Sequence, residues 1–226
     1  MLSISATDAW RAAHPGAAIG LLELSGVAGA DASGRLADRK RETEARLRDR
    51  YHGLTRQDFT ALPVMAAYVR YYKRFSKTYH VQLQLESIVL KGKGLPSVSP
   101  LVDANFVAEV ETLVLTAGHD AAKLDGAVSI DVSRDGDQMT QMNGSVTALR
   151  PGDMVMRDAR GVCCSIIYGQ DNRSPISRET SHVLYVAYAP PDVPAAAVEA
   201  QLQAIEDNVR LVSTALVVGQ RRVLAA

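Results

Sequence analysis

Cysteine is nearly missing from this chain: of 226 residues only two are Cys, and they are adjacent. Cys163 and Cys164 lie inside GVCCSIIYG, an apolar run that predicts a strand. Successive strand side chains point to opposite faces, which argues against a normal disulfide or a shared metal and for buried packing. No metal-ligand spacing appears elsewhere, so neither a metal nor a cofactor is expected. Long apolar runs are lacking too. Stretches such as Ala215 to Gly219 are far too short to span a bilayer, and MLSISATDAW at the start lacks the basic, apolar and small-residue regions of a signal peptide. A cytoplasmic protein with no membrane partner is expected. Net charge is zero, so a general DNA-binding surface is not expected either.

That neutrality hides an asymmetry. Residues 35–93 hold fourteen Lys and Arg against six Asp and Glu, whereas residues 103–158 hold four against ten. One side of the surface is expected to be basic and able to attract phosphates locally. The hydrophobic fraction of 47% and charged fraction of 22% suit a globular chain of this length built as one domain over residues 1–226.

The most readable stretch runs from Pro96 to Asp120, PSVSPLVDANFVAEVETLVLTAGHD. Ser99 suits a helix N-cap and Pro100 the first helical position, where its missing N–H costs nothing. Gly118 is expected to end the helix in the left-handed conformation, with His119 and Asp120 opening the exit loop. On a helical wheel the segment is apolar over most of its circumference. The exception is a polar edge of Asn105, Glu109, Thr112 and Thr116 at helical spacing. A carboxylate on a buried helix must be paired, hydrogen-bonded or open to water. Glu109 therefore either meets an Arg in a structural ion pair or lines a cleft.

Elsewhere the pattern predicts a short strand over residues 2–5, a helix capped by Thr7, and a buried strand in AAIGLLELSGV. A charged helix between Ser33 and His52 reads mostly as a solvated face. TRQDFTAL predicts a helical turn, and Pro63 opens a helix, PVMAAYVRYYKRFSK, in which Arg70, Lys73, Arg74 and Lys77 alternate with Tyr68, Tyr71, Tyr72 and Phe75. Nucleic-acid surfaces use this mixture for phosphate pairing and base stacking. The same mixture arises when aromatics fill a core and cations snorkel outward. HVQLQLESIVLKGKG predicts a third helix, with a strand as the alternative given its partial alternation, and adds Lys91 and Lys93 to the basic side. Short strands follow, with a hairpin expected at Asp135-Gly136, and the loop GQDNRSPISRET reads either as a substrate-facing connection or as a plain surface loop. A final helix begins after Pro194 and runs through AAAVEAQLQAIEDNVRLVSTALVV.

In this order PSVSPLVDANFV, AGHD, PGDMVMRD and GVCCSIIYGQDNRSPISRETSHVLYVAY resemble the editing module of the bacterial phenylalanyl-tRNA synthetase β subunit, formed by its third and fourth B-type domains. YYKRFSKTYHVQLQLESIVLKGKGLPSVSPLVDANF is similar to stand-alone relatives of that module. The resemblance covers about residues 60–190. It implies an α+β fold, an α/β sandwich with a mainly antiparallel sheet packed on helices. It also implies a substrate pocket that Asn105, Glu109, His119, Tyr168 and Gly169 would line, with Asp103 on the same helix.

In the synthetase the module removes tyrosine wrongly attached to the phenylalanine tRNA. Here the family histidine falls at Ala117, the glutamate that reads the tyrosine hydroxyl falls at or beside Val186, and a Gly-Gly turn is Gly169-Gln170. A different amino acid is thus implied. Two functions follow. One is a free-standing deacylase of a mischarged tRNA, with Arg70, Lys73, Arg74, Lys77, Lys91 and Lys93 toward the tRNA acceptor end and backbone N–H groups near Gly169 on the oxyanion. The other is a non-catalytic module that binds a free amino acid or a related metabolite. No catalytic residue is identified from the residues alone.

Overall fold

The computed structural model describes residues 1–27 and 34–226. The chain opens with β1 (Ile4–Ala6) and α1 (Asp8–Ala13), whose first turn is capped by Thr7 accepting from the Trp10 amide at 3.1 Å. β2 (Ala18–Ser25) follows and is almost wholly buried. The helices α2 (Arg35–Arg50), α3 (Arg56–Ala61), α4 (Pro63–Lys73), α5 (His80–Val89) and α6 (Pro100–Thr112) come next. The Ser33 boundary proposed for α2 lies outside the described residues.

β3 (Thr116–Asp120), β4 (Val128–Val132), β5 (Gln138–Thr140), β6 (Val146–Ala148), β7 (Met154–Asp158), β8 (Gly161–Ser165), β9 (Gly169–Gln170) and β10 (His182–Ala189) supply the strands. α7 (Ala195–Arg210) and β11 (Val217–Ala225) complete the chain.

Two sheets result, ordered β1-β4-β7-β8-β9 and β11-β2-β10-β3, with a small β5-β6 hairpin beside them. Every pairing is antiparallel except β1 with β4. The α+β class expected from the sequence is therefore the one observed. α7 lies across β2 at Gly20, where a Cβ would come within 2.7 Å of Val198 Cγ1. Glycine is needed there because no side chain fits between helix and sheet. α6 is anchored from both sides, by Asn208 Nδ2 donating to Ala104 O at 3.0 Å and by Tyr185 Oη donating to Leu101 O at 2.8 Å.

Three expectations are corrected. α6 ends at Leu113, not Gly118. Leu113 takes φ +65°, an uncommon conformation for a side chain of this kind, and Tyr79 Oη holds its carbonyl at 2.9 Å. His119 and Asp120 consequently sit in strand β3, which pairs with β10, rather than in an exit loop. Asp135-Gly136 turns the chain, but β4 pairs with β1 and β7, and the hairpin forms one turn later between β5 and β6. The C-terminal helix stops at Arg210, and its last apolar residues instead form β11 on the edge of β2.

α2 is more than a solvated face. Leu36, Lys40, Thr43 and Leu47 are buried, and its polar side chains brace the segment that leads from α5 to α6. Glu44 Oε1 accepts from the Leu95 amide at 2.7 Å, Arg48 donates to Ile88 O at 3.2 Å and to Lys93 O at 3.1 Å, and Lys40 Nζ donates to Ser97 Oγ at 2.9 Å. Among the described residues no helix is long and apolar enough to cross a membrane.

Candidate functional site

The two sheets and α6 meet around a cavity of roughly 490 Å³, a size typical of small-molecule sites. α6 contributes Val102, Asn105 and Phe106, and β3 contributes Thr116, Ala117 and Gly118. The turn from β8 to β9 supplies Ile166 through Gln170, and β10 supplies Tyr185 and Tyr188. His80, at the first position of α5, stands on the wall, and the exposed Val98 and Met142 stand beside it.

Gly118 is required here for space rather than for helix termination. A Cβ on it would lie 2.7 Å from Ile176 Cδ1 and 3.1 Å from Tyr185 Cε1. Tyr188 Oη has no hydrogen-bond partner beyond its weak contact with the Cys164 thiol. Both cysteines are free and buried, and burial pushes the Cys164 thiol up to about 12, so it stays a neutral wall of the cavity.

The turn from Ile166 to Gly169 is held from below by Asp153, a buried carboxylate on the rim of β7. Tyr71 Oη donates to it at 2.7 Å, Ser165 Oγ also donates to it, and the Ile167 amide reaches it at 3.3 Å. Ser165 Oγ in turn accepts from the Tyr168 amide at 3.0 Å. Burial raises the Asp153 carboxyl to about 6 against these donors. The amides of Ile167 and Tyr168 are thus already committed, which removes two of the backbone donors expected near Gly169 for an oxyanion. Ser165 lines the cavity but has its lone pairs occupied by amides and its proton on Asp153.

Of the five residues expected to line the pocket, the structure brings Asn105, Tyr168 and Gly169 to the cavity wall. Glu109 and His119 lie behind it. Glu109 neither meets an Arg nor faces the opening: its Oε1 accepts from the Thr116 amide at 2.7 Å, tying α6 to the start of β3. Thr112 Oγ1 donates to Gln201 Oε1 at 2.6 Å, so the polar edge of α6 is largely a strap to β3 and α7. His119 is buried, with Nδ1 at 2.8 Å from Ser174 Oγ and 3.0 Å from Gln170 Nε2. Desolvation lowers its pKa to about 3, so it is neutral and serves to hold the loop after β9.

The Glu109 environment has a measurable consequence. Burial raises its carboxyl to about 8, outweighing the hydrogen bonds from Thr116 and Asn105 that act the other way. A carboxyl whose folded pKa exceeds its unfolded value binds more protons when folded, so its contribution to stability is lost as pH rises from the unfolded value of 4.5 through about 8. Glu109→Gln keeps the acceptor for Thr116 and removes the titration. Urea unfolding of both proteins at about pH 5 and about pH 8 is expected to show a smaller fall with pH in the variant. Equal falls would mean that Glu109 is ionised in the folded protein.

The basic segment divides. Tyr68, Tyr71, Tyr72 and Phe75 are buried, and the three tyrosine hydroxyls bond to Tyr188 O, Asp153 and Ile166 O at 2.6–2.7 Å. They are core, not stacking surface. The cations point outward. Arg70 pairs with Asp192 at 2.8 Å, whereas Arg74 lies over the rings of Tyr71 and Phe75. Lys73, Lys77, Lys91 and Lys93 are exposed.

His80 was not singled out from the sequence. Its only signal there was a position at the start of a predicted helix, since a lone histidine carries no spacing. In the fold it is, among the described residues, the one cavity-lining side chain whose ordinary pKa lies near neutrality. Desolvation lowers that pKa further, leaving the ring neutral at pH 7.

Comparison with known proteins adds the following. No curated protein matches the chain. Among solved structures, the chain is similar to an N-terminal fragment of the phenylalanyl-tRNA synthetase β-subunit from Pyrococcus horikoshii, with a TM-score of 0.49 and 6% identity over 98% of this chain. It spans 50% of that fragment's length. The B3/4 domain model matches residues 64–208, from the second residue of α4 through most of α7 and so around the whole cavity. By that match over more than half its length, the chain belongs to the B3/4 domain family.

Proposed function

We propose that this protein hydrolyses the ester linking a wrongly attached amino acid to a tRNA. The observation that carries this reading is the charge content of the cavity: among the described residues, no Lys, Arg, Asp or Glu lines it. A free amino acid would bring a carboxylate with no cation to receive it, and an unpaired buried charge is costly. In an aminoacyl ester that carboxylate is already esterified, so only the side chain and the amino group need accommodation. Val102, Phe106, Ile166, Ile176 and Tyr185 suit an apolar or aromatic side chain, and Asn105 Oδ1, bonded only at 3.5 Å to Gln201, can accept from the amino group.

Hydrolysis then needs a positioned water and a base. Neutral His80 takes a proton from water as the water oxygen bonds to the acyl carbon. The tetrahedral intermediate collapses with cleavage of the bond to the ribose oxygen, which receives that proton. The exposed Lys73, Lys77, Lys91 and Lys93 would contribute salt-sensitive attraction to the RNA.

The test is a panel of tRNAs, each mischarged with a labelled amino acid, incubated with purified protein. At least one is expected to lose its amino acid faster than in buffer. No turnover across the panel, together with a specific thermal shift by a free amino acid, would replace this reading with that of an amino-acid-binding module.

A further inference from the structure

His80 belongs to two cavities. Besides the one already described, it borders a second of roughly 370 Å³ on the outer side of α5, formed with the segment from Lys93 to Pro96. Among the described residues, the two spaces share this one side chain.

The second space differs in character from the first. Its apolar surfaces are Leu83, which is 45% exposed, Ile88, Leu95 and Pro96. Its polar groups are Gln84, Ser87 and Lys93. Gln84 borders the space with its amide side chain, whose Oε1 is buried and has no hydrogen-bond partner. Lys93 is exposed at one edge. Both walls are set by α2 through Glu44 on the Leu95 amide and Arg48 on Ile88 O and Lys93 O, so the space is formed in advance of any ligand.

Apolar surfaces for a flat ring, an amide side chain for the edge of a base and a cation for an anionic group together describe a nucleotide. We propose that the second cavity holds the terminal nucleoside and its phosphate, while the first holds the acyl group and His80 stands at the ester joining them. This inference rests on the deacylase reading and adds to it the place of the nucleic-acid end. It also gives Lys93 a specific phosphate to meet.

Two non-hydrolysable probes test it by calorimetry across a set of amino acids: the aminoacyl group linked through an amide to 3′-amino-3′-deoxyadenosine 5′-phosphate, and the same aminoacyl group as its methyl amide. The nucleotide conjugate is expected to bind about tenfold more tightly or better than the methyl amide. Ser87→Arg, which fills the second cavity, is expected to erase that gain and leave methyl amide binding unchanged. Lys93→Glu, at an exposed position with no structural role for its side chain, is expected to reduce the gain without affecting folding. Equal affinities of the two probes, or a gain that survives both substitutions, would overturn the second site while leaving the acyl pocket intact. If neither probe binds for any amino acid, the acyl-pocket reading itself fails and the nucleoside site falls with it.

Discussion

Replacing His80 with glutamine is expected to slow deacylation by a factor on the order of 10²–10⁴, the usual contribution of a positioned general base. Glutamine retains hydrogen bonding and much of the size of imidazole but cannot accept a proton at neutral pH, so binding of the methyl amide probe should be preserved while turnover falls. The pH profile distinguishes lost chemistry from a disturbed pocket. In the native protein desolvation holds the His80 pKa below its ordinary 6.5, so the base form predominates at pH 7. The rate should fall only as pH drops through that lowered value, because protonation removes the base. In His80→Gln this acid limb should vanish and leave a low, flat profile. A variant that keeps the native rate, or keeps the acid limb, would show that another group takes the proton.

The second large effect is on stability. Asp153→Ala is expected to destabilise the fold by about 3–5 kcal/mol, because it strands several buried donors at once. Tyr71 Oη and the Ser165 hydroxyl would lose their acceptor, and the Ile167 amide would lose one of its two. Water cannot readily replace a carboxylate whose surroundings are closed. Asp153→Asn keeps one acceptor oxygen and should cost less. Denaturant unfolding of the two variants measures the difference, and a loss below about 1 kcal/mol for Asp153→Ala would mean the site is solvated in the folded protein. Substrate affinity should fall with stability, since these bonds set the turn from Ile166 to Gly169 that forms one wall of the cavity.

The two effects belong to different parts of the same architecture. Asp153 shapes the wall without touching the space, whereas His80 touches the space and is shaped by its neighbours. Its ring lies edge-on to Tyr72 and Tyr79, with centroids 6.4 and 5.6 Å away. Those tyrosines are themselves fixed by hydroxyl bonds to Ile166 O and Leu113 O. The aromatic-rich segment that resembles a nucleic-acid surface in the sequence is therefore the internal support of the site, and only its cations lie at the surface.

What the amino-acid sequence determined by itself was local. Thr7 and Pro63 begin helices because a hydroxyl cap and a missing N–H act within a few residues, and the buried β2 and β10 follow from uninterrupted apolar runs. The order of motifs also marked the B3/4 family and the α+β class, and Asn105, Tyr168 and Gly169 were placed on the cavity wall through it.

The tertiary structure decided the rest. The end of α6 is set by Leu113 in a left-handed conformation, which has no local signature and persists because Tyr79, thirty-four positions away, holds its carbonyl. That early ending turns TAGHD into a strand and moves Thr116 off the helix. It leaves Glu109 bonded to the backbone rather than open to a cleft. His80 gains its place only when α5 is packed against the cavity and the braced segment from Lys93 to Pro96, so that one ring borders both spaces. Such placement depends on contacts between distant parts of the chain, and no spacing within a helix or strand encodes them.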